Sequence, residues 1–183
     1  KSGSPSQSAN TESFNGGAWS EVADLNTARN KLPGTGSSST NALAFGGDAA
    51  GDNGRTDTES WNGSSWTEVN DLNSGRARAT GTGASNTAAL LAGGSPPNDG
   101  TAITESWNGT SWTEVNDLNQ AKTYLGMSGT YTSAVTAGGL SPPSTSLTTC
   151  EVWNGTSWTE VNDMNTGGSR DPFGSDSTNA IAV

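Results

Sequence analysis

Apolar residues in this chain gather in short runs, and none recurs at helical spacing. Ala42-Leu43-Ala44-Phe45 and Ala88 to Ala92 each stop at a Gly-Gly pair, Gly46-Gly47 and Gly93-Gly94. A third pair, Gly138-Gly139, closes the run that begins at Ala134. A glycine-rich stretch precedes each run, as in Lys31 to Gly36 and Arg78 to Gly83. The distance is constant: Gly34 to Gly46, Gly81 to Gly93 and Gly126 to Gly138 are each 12 apart. Two mixed stretches follow, Thr-Glu-Ser-Trp and Ser-Trp-Thr-Glu-Val, joined by Asn-Gly at 62–63, 108–109 and 154–155. Asn and Gly tolerate the positive φ that a tight hairpin turn requires. The pattern predicts four strands per unit and no helix, with Trp61 and Trp66 facing one another across the hairpin.

The units repeat. Thr58 to Asn73 and Thr104 to Asn119 differ only at Ser64 and Thr110, Cys150 to Asn165 is a third copy, and Thr11 to Asn26 a more divergent one. The anchoring aromatics Phe14, Trp61, Trp107 and Trp153 step by 47, 46 and 46 residues. Four antiparallel strands in about 46 residues make one blade of a β-propeller. The sequence resembles the kelch family on four features. These are the Gly-Gly doublet after an apolar strand, the aromatic some 14 residues later, the Trp five beyond it, and a basic residue after the last strand. The basic residue is Arg29, Arg76 and Lys122, with Arg170 shifted by two. Trp or Phe replaces the usual kelch Tyr in the third strand. The resemblance runs along essentially the whole chain and implies an all-β propeller.

Strand counting gives two orphans at the N-terminal end, three full blades and two orphans at the C-terminal end, which stop at Ile181-Ala182-Val183. Two and two make a fourth blade. The expected architecture is therefore a single domain over 1–183, a four-bladed ring closed by strands from both termini. Closure would remove exposed sheet edges. The alternatives are a segment of a longer array, or copies that share a ring.

Composition narrows the function classes. Apolar residues make up 30% of 183, and seven tryptophans support a packed core. A net charge of −10 repels phosphate backbones, so no nucleic acid is expected. The absence of histidine removes His-based catalysis and most catalytic zinc or copper sites. Cys150 is alone and can form no internal disulfide. The longest apolar run, Ala88 to Ala92, is far short of the roughly 18 residues of a spanning helix, so no membrane insertion is expected. No leader pattern is visible; the sequence opens on Lys1 rather than Met, which leaves a removed or omitted segment open.

The second-to-third connections, Asp48 to Asp57, Ser95 to Ile103 and Leu140 to Thr148, share little sequence, whereas the Asn-Gly face is nearly constant. A drifting face is where a partner is read, or simply where nothing constrains the loops. Candidate binding residues on it are Arg29, Arg76, Lys122, Asp52 and Asp99. The three bases could meet an anion, although such residues more often pair with a neighbouring carboxylate. The tryptophans Trp19, Trp61, Trp66, Trp107, Trp112, Trp153 and Trp158 read as blade packing rather than sugar platforms. The doublets Gly46, Gly47, Gly93, Gly94, Gly138 and Gly139 read as structural. The repeated acids, Glu59, Glu105 and Glu151 among them, are expected to be solvated or to cap loops. Asp48, Asp52, Asn53 and Asp57 gather oxygen ligands without calcium-loop spacing, so neither metal nor cofactor is expected. Asn62, Asn108 and Asn154 spell glycosylation acceptors that the hairpin turn already explains.

Two enzymatic propeller families fail to match. The copper-radical oxidases need His ligands; the sialidases need an Asp box, where Trp107 stands in the Asp position before Gly109-Thr110-Ser111-Trp112. The expected function is a non-catalytic binding or structural module on a virion, phage appendage or extracellular surface. Its partner would be a protein or a surface glycan, with a homo-oligomer or assembly subunit open. Near-identical copies and a resemblance to kelch-like repeats of phage structural proteins point that way. The rival is an intracellular kelch-type propeller that docks an acidic peptide.

Overall fold

A computed structural model describes residues 7–49, 54–95, 99–169 and 172–182. The strands are β1 (Glu12–Phe14), β2 (Trp19–Glu21), β3 (Gly34–Ser38), β4 (Asn41–Phe45), β5 (Thr58–Trp61) and β6 (Trp66–Val69), then β7 (Thr80–Ser85), β8 (Ala88–Ala92), β9 (Thr104–Trp107) and β10 (Trp112–Val115). They continue as β11 (Gly126–Thr130), β12 (Ser133–Ala137), β13 (Leu140–Ser141), β14 (Thr145–Ser146), β15 (Cys150–Trp153), β16 (Trp158–Val161), β17 (Pro172–Asp176) and β18 (Asn179–Ala182). No helix occurs among the described residues. Three antiparallel sheets of four strands, β3–β6, β7–β10 and β11-β12-β15-β16, lie between two hairpins, β1–β2 and β17–β18. The small β13–β14 hairpin inside the third long connection had no signature in the sequence.

The Asn-Gly turns work as expected. Asn62 Oδ1 accepts the Ser64 and Ser65 amides at 2.9 and 3.0 Å, and Gly63 takes φ +97°. That turn sets Trp61 directly opposite Trp66, with ring centroids 5.3 Å apart, and the same pairing recurs at Trp107–Trp112 and Trp153–Trp158. The first strands begin later than the sequence suggested, at Gly34 and Thr80. The cause is that Lys31 and Arg78 take positive φ, 51° and 56°, and so cannot belong to a strand.

Sheets stack through two apolar layers. Leu43, Phe45 and Leu72 pack on Ala89, Leu91, Trp107 and Trp112. Leu90 and Ala92, on the opposite side of the middle sheet, pack on Leu125, Met127, Trp153 and Trp158. Strand alternation is what lets one apolar run serve both layers. First strands neighbour each other in order, β3 beside β7, β7 beside β11 and β11 beside β17. Between them one hydroxyl per step donates to a carbonyl: Thr35 to Gly83, Thr82 to Gly129 and Ser128 to Gly174, each 2.6 Å. The indoles of β6, β10 and β16 likewise donate to the preceding unit: Trp66 to Thr11 Oγ1, Trp112 to Thr58 Oγ1 and Trp158 to Thr104 Oγ1, at 3.0–3.1 Å.

The Gly-Gly pairs sit where a linker crosses. Gly93 (φ +66°) and Gly94 (φ +98°) turn the chain, and the Gly94 amide donates to Lys122 O at 2.9 Å. A Cβ on Gly93 would stand 2.8 Å from both Lys122 O and the Leu125 side chain. Gly93→Ala is therefore expected to cost about 1–3 kcal/mol from backbone strain alone, and more from the collision, as a lowered urea midpoint. Gly16 (φ +96°), around which a Cβ meets nothing within 4 Å, is the control. Equal losses at the two positions would show that space plays no part.

Among the described residues β1 pairs only with β2, and β18 only with β17. The ends carry the exposed apolar side chains Phe14, Trp19 (65%) and Ile181 (66%).

Candidate functional site

The basic residues of the loop face are accounted for inside the protein. Arg29, Arg76 and Lys122 are at most 2% exposed, and each meets a glutamate from the third strand of the sheet its linker enters. The distances are 2.6 Å for Arg29–Glu59, 3.0 Å for Arg76–Glu105 and 2.9 Å for Lys122–Glu151. The first is an aligned hydrogen bond; the other two are charge contacts without that alignment. The second carboxylate oxygen accepts the backbone and side-chain N–H groups of Asn26, Asn73 or Asn119, at 2.7–2.9 Å. Burial pushes the Arg76 guanidinium below its ordinary pKa, while Glu105, Asp117 and Glu114 push the other way. These three cations are thus linker clamps with no open side toward a ligand.

One expectation changes with them. Glu59, Glu105 and Glu151 are not solvated; they are the buried halves of the clamps. The aspartates of the fourth connection do cap loops, since Asp71 and Asp163 accept the Thr56 and Thr148 hydroxyls at 3.1 and 2.8 Å. Asp99 is exposed, whereas Asp52, Asn53 and Arg170 lie outside the described residues. Asp48 and Asp57 are engaged by Lys31 at 2.9 Å and by Arg55 at 2.5 Å. Hydrogen bonding from Arg55 holds the Asp57 carboxyl below its usual range. No group of three or more potential metal ligands occurs among the described residues.

Two residues beyond each clamp base lies a position the sequence reading passed over. Lys31, Arg78 and Tyr124 follow the repeat step and share a positive φ of 51–56°. Non-glycine residues in that region hold strain of order 1–3 kcal/mol, and such strain gathers at functional positions. Neighbouring linkers are stitched together here: the Arg78 amide donates to Lys31 O at 3.3 Å and the Tyr124 amide to Arg78 O at 3.0 Å. Ser169 Oγ donates to Tyr124 O at 2.8 Å. Together they line a cavity of about 280 Å³ whose floor includes Leu32, Ala79 and Leu125. Lys31 reaches it while paired to Asp48, and Arg78 donates to Ser95 Oγ at 3.1 Å with its guanidinium 5.7 Å from the Tyr124 ring centre. Two cations and an aromatic over an apolar floor suit an anionic group with an apolar flank. The signal was legible: Lys31 and Arg78 are 47 apart, the same step as between the aromatics Phe14 and Trp61.

Comparisons agree with this architecture and add no chemistry. No family model and no curated protein sequence matches the chain. Its structure is similar to that of YjhT, with a TM-score of 0.73 at 11% identity over 94% of this chain and 71% of that one. At that identity the likeness shows a shared fold.

Proposed function

We propose that these sheets are kelch-like blades of a β-propeller and that the chain is a non-catalytic binding module of a virion, phage appendage or extracellular surface. The observation that carries the binding role is the linker cavity with Lys31, Arg78 and Tyr124. Its three residues recur once per unit in strained backbone, and both cations line it while bonded within the protein, Lys31 to Asp48 and Arg78 to Ser95. Its partner is a protein segment or surface glycan bearing a carboxylate. One-substitution identity between 58–73 and 104–119 supports recent copying, a habit of fibre and adhesin genes. The rival, an intracellular propeller that docks an acidic peptide, draws on the same cavity.

The test is binding of acidic glycans and glutamate-rich peptides at two salt concentrations. Lys31→Ala/Arg78→Ala is expected to weaken binding at least about tenfold, with a salt dependence that disappears in the variant. Binding unchanged by the double substitution overturns the cavity reading. Electron microscopy of native material then separates the two settings: the chain in a repetitive particle supports the first, a soluble adaptor-linked monomer the second.

A further inference from the structure

Of the three clamps between a linker base and a buried glutamate, one is built on lysine. Arg29 and Arg76 end in guanidinium groups, which stay protonated and do not attack carbonyl carbon, whereas Lys122 ends in a primary amine. The rest of the arrangement is shared. Glu151 Oε1 lies 2.9 Å from Lys122 Nζ, and Glu151 Oε2 accepts Asn119 Nδ2 at 2.8 Å and the Asn119 amide at 2.7 Å. One carboxylate thus bridges an amine and a carboxamide that lie three residues apart on a bent stretch of linker.

The amine is poorly served by its surroundings. The Lys122 and Glu151 side chains are 0% and 1% exposed, and Nζ has no aligned hydrogen-bond acceptor. A buried donor in that state calls for an explanation. Asn119 Nδ2 faces two acceptors, Glu151 Oε2 and Trp158 O, the second at 3.4 Å, which limits how the carboxamide can turn.

We propose that Lys122 and Asn119 become joined by an isopeptide bond that the folded protein makes on itself, with Glu151 carrying the protons. Glu151 Oε1 takes a proton from the Nζ ammonium and leaves a neutral amine. The Nζ lone pair attacks Asn119 Cγ, and the carbonyl electrons move to Oδ1. The Glu151 carboxyl then protonates Nδ2; the Cγ–Nδ2 bond breaks, and ammonia departs as the carbonyl re-forms. The remaining surplus proton on Nζ passes to Glu151, which ends as a neutral acid beside a neutral amide. The balance needs no oxidant or co-reactant. Holding both reacting groups on one carboxylate replaces an encounter from solution, and the bridging acid supplies general base and general acid in turn. A buried ion pair, with its desolvation cost, is exchanged for two neutral groups. The two arginine clamps stay non-covalent.

Tryptic digestion after denaturation, read by mass spectrometry, tests this. Trypsin does not cut after an acylated lysine, so the wild-type peptide should run uncut through Lys122. It should be lighter than its sequence by one ammonia, with fragment ions that place the loss between Asn119 and Lys122. Lys122→Arg copies the other two clamps and should show the full sequence mass and ordinary cleavage at position 122. Glu151→Gln should slow the loss of ammonia from folded protein at least about a hundredfold, and an unchanged rate overturns the role given to Glu151. Wild-type protein that is cut to completion after Lys122 overturns the proposal, whatever the variants do. So does a loss of water in place of ammonia, which would join Lys122 to Glu151 itself. An ammonia loss that persists in Lys122→Arg also overturns it, since that loss would belong to a succinimide at an Asn-Gly turn.

Discussion

Glu105→Leu is expected to destabilise the protein by about 3–5 kcal/mol, the range for a buried ion pair that loses one member. Glu105 and Arg76 are both 0% exposed at the side chain and lie 3.0 Å apart. Leucine fills much of the space but leaves the buried guanidinium without its nearest anion. Equilibrium unfolding in urea measures the loss. The companion is Arg76→Met/Glu105→Leu, which removes both charges and is expected to recover most of the stability, because a well-packed apolar pair often matches a buried salt bridge. If the double variant remains as weak as the single one, the clamp acts through the Asn73 bonds to Glu105 and not through charge.

Trp112→Ala is expected to cost a similar amount, about 3–5 kcal/mol, as a large-to-small change in a packed layer. Its indole is 5% exposed, lies 4.9 Å from the Phe45 ring and 5.4 Å from that of Trp107, and donates to Thr58 Oγ1 at 3.0 Å. Removing it opens a void between two sheets and takes from the Thr58 hydroxyl oxygen its indole donor. The contrast is Trp19→Ala at low protein concentration, where an exposed side chain should change stability by no more than about 0.5 kcal/mol. A loss under about 1 kcal/mol for Trp112 would restore the idea of an exposed aromatic platform.

Much of this fold was legible in the sequence because each unit repeats its own instructions. The Asn-Gly turns, the opposed aromatics and the ends of the apolar strands at the Gly-Gly pairs were read correctly, since each depends on local backbone chemistry. The partners of the linker bases were not. Nothing near Arg76 in sequence names Glu105, and a glutamate in a Thr-Glu-Ser-Trp strand looks exposed until the linker that enters its sheet is laid over it. Lys31 and Arg78 escaped for a different reason: a glycine-rich stretch suggests a strand, and only the observed φ values show a turn that aims their side chains into a cavity. The β13–β14 hairpin had no precedent in the other units, so periodicity could not announce it.

The hydroxyl-to-carbonyl steps from Thr35, Thr82 and Ser128 join each sheet only to the next. Stability in such an assembly is a sum of unit terms and nearest-neighbour couplings. Among the described residues the middle sheet is held from both sides, while β1–β2 and β17–β18 are each held from one. Opening therefore begins at the terminal hairpins and travels inward, with amide protons in β7–β10 the slowest to exchange with solvent.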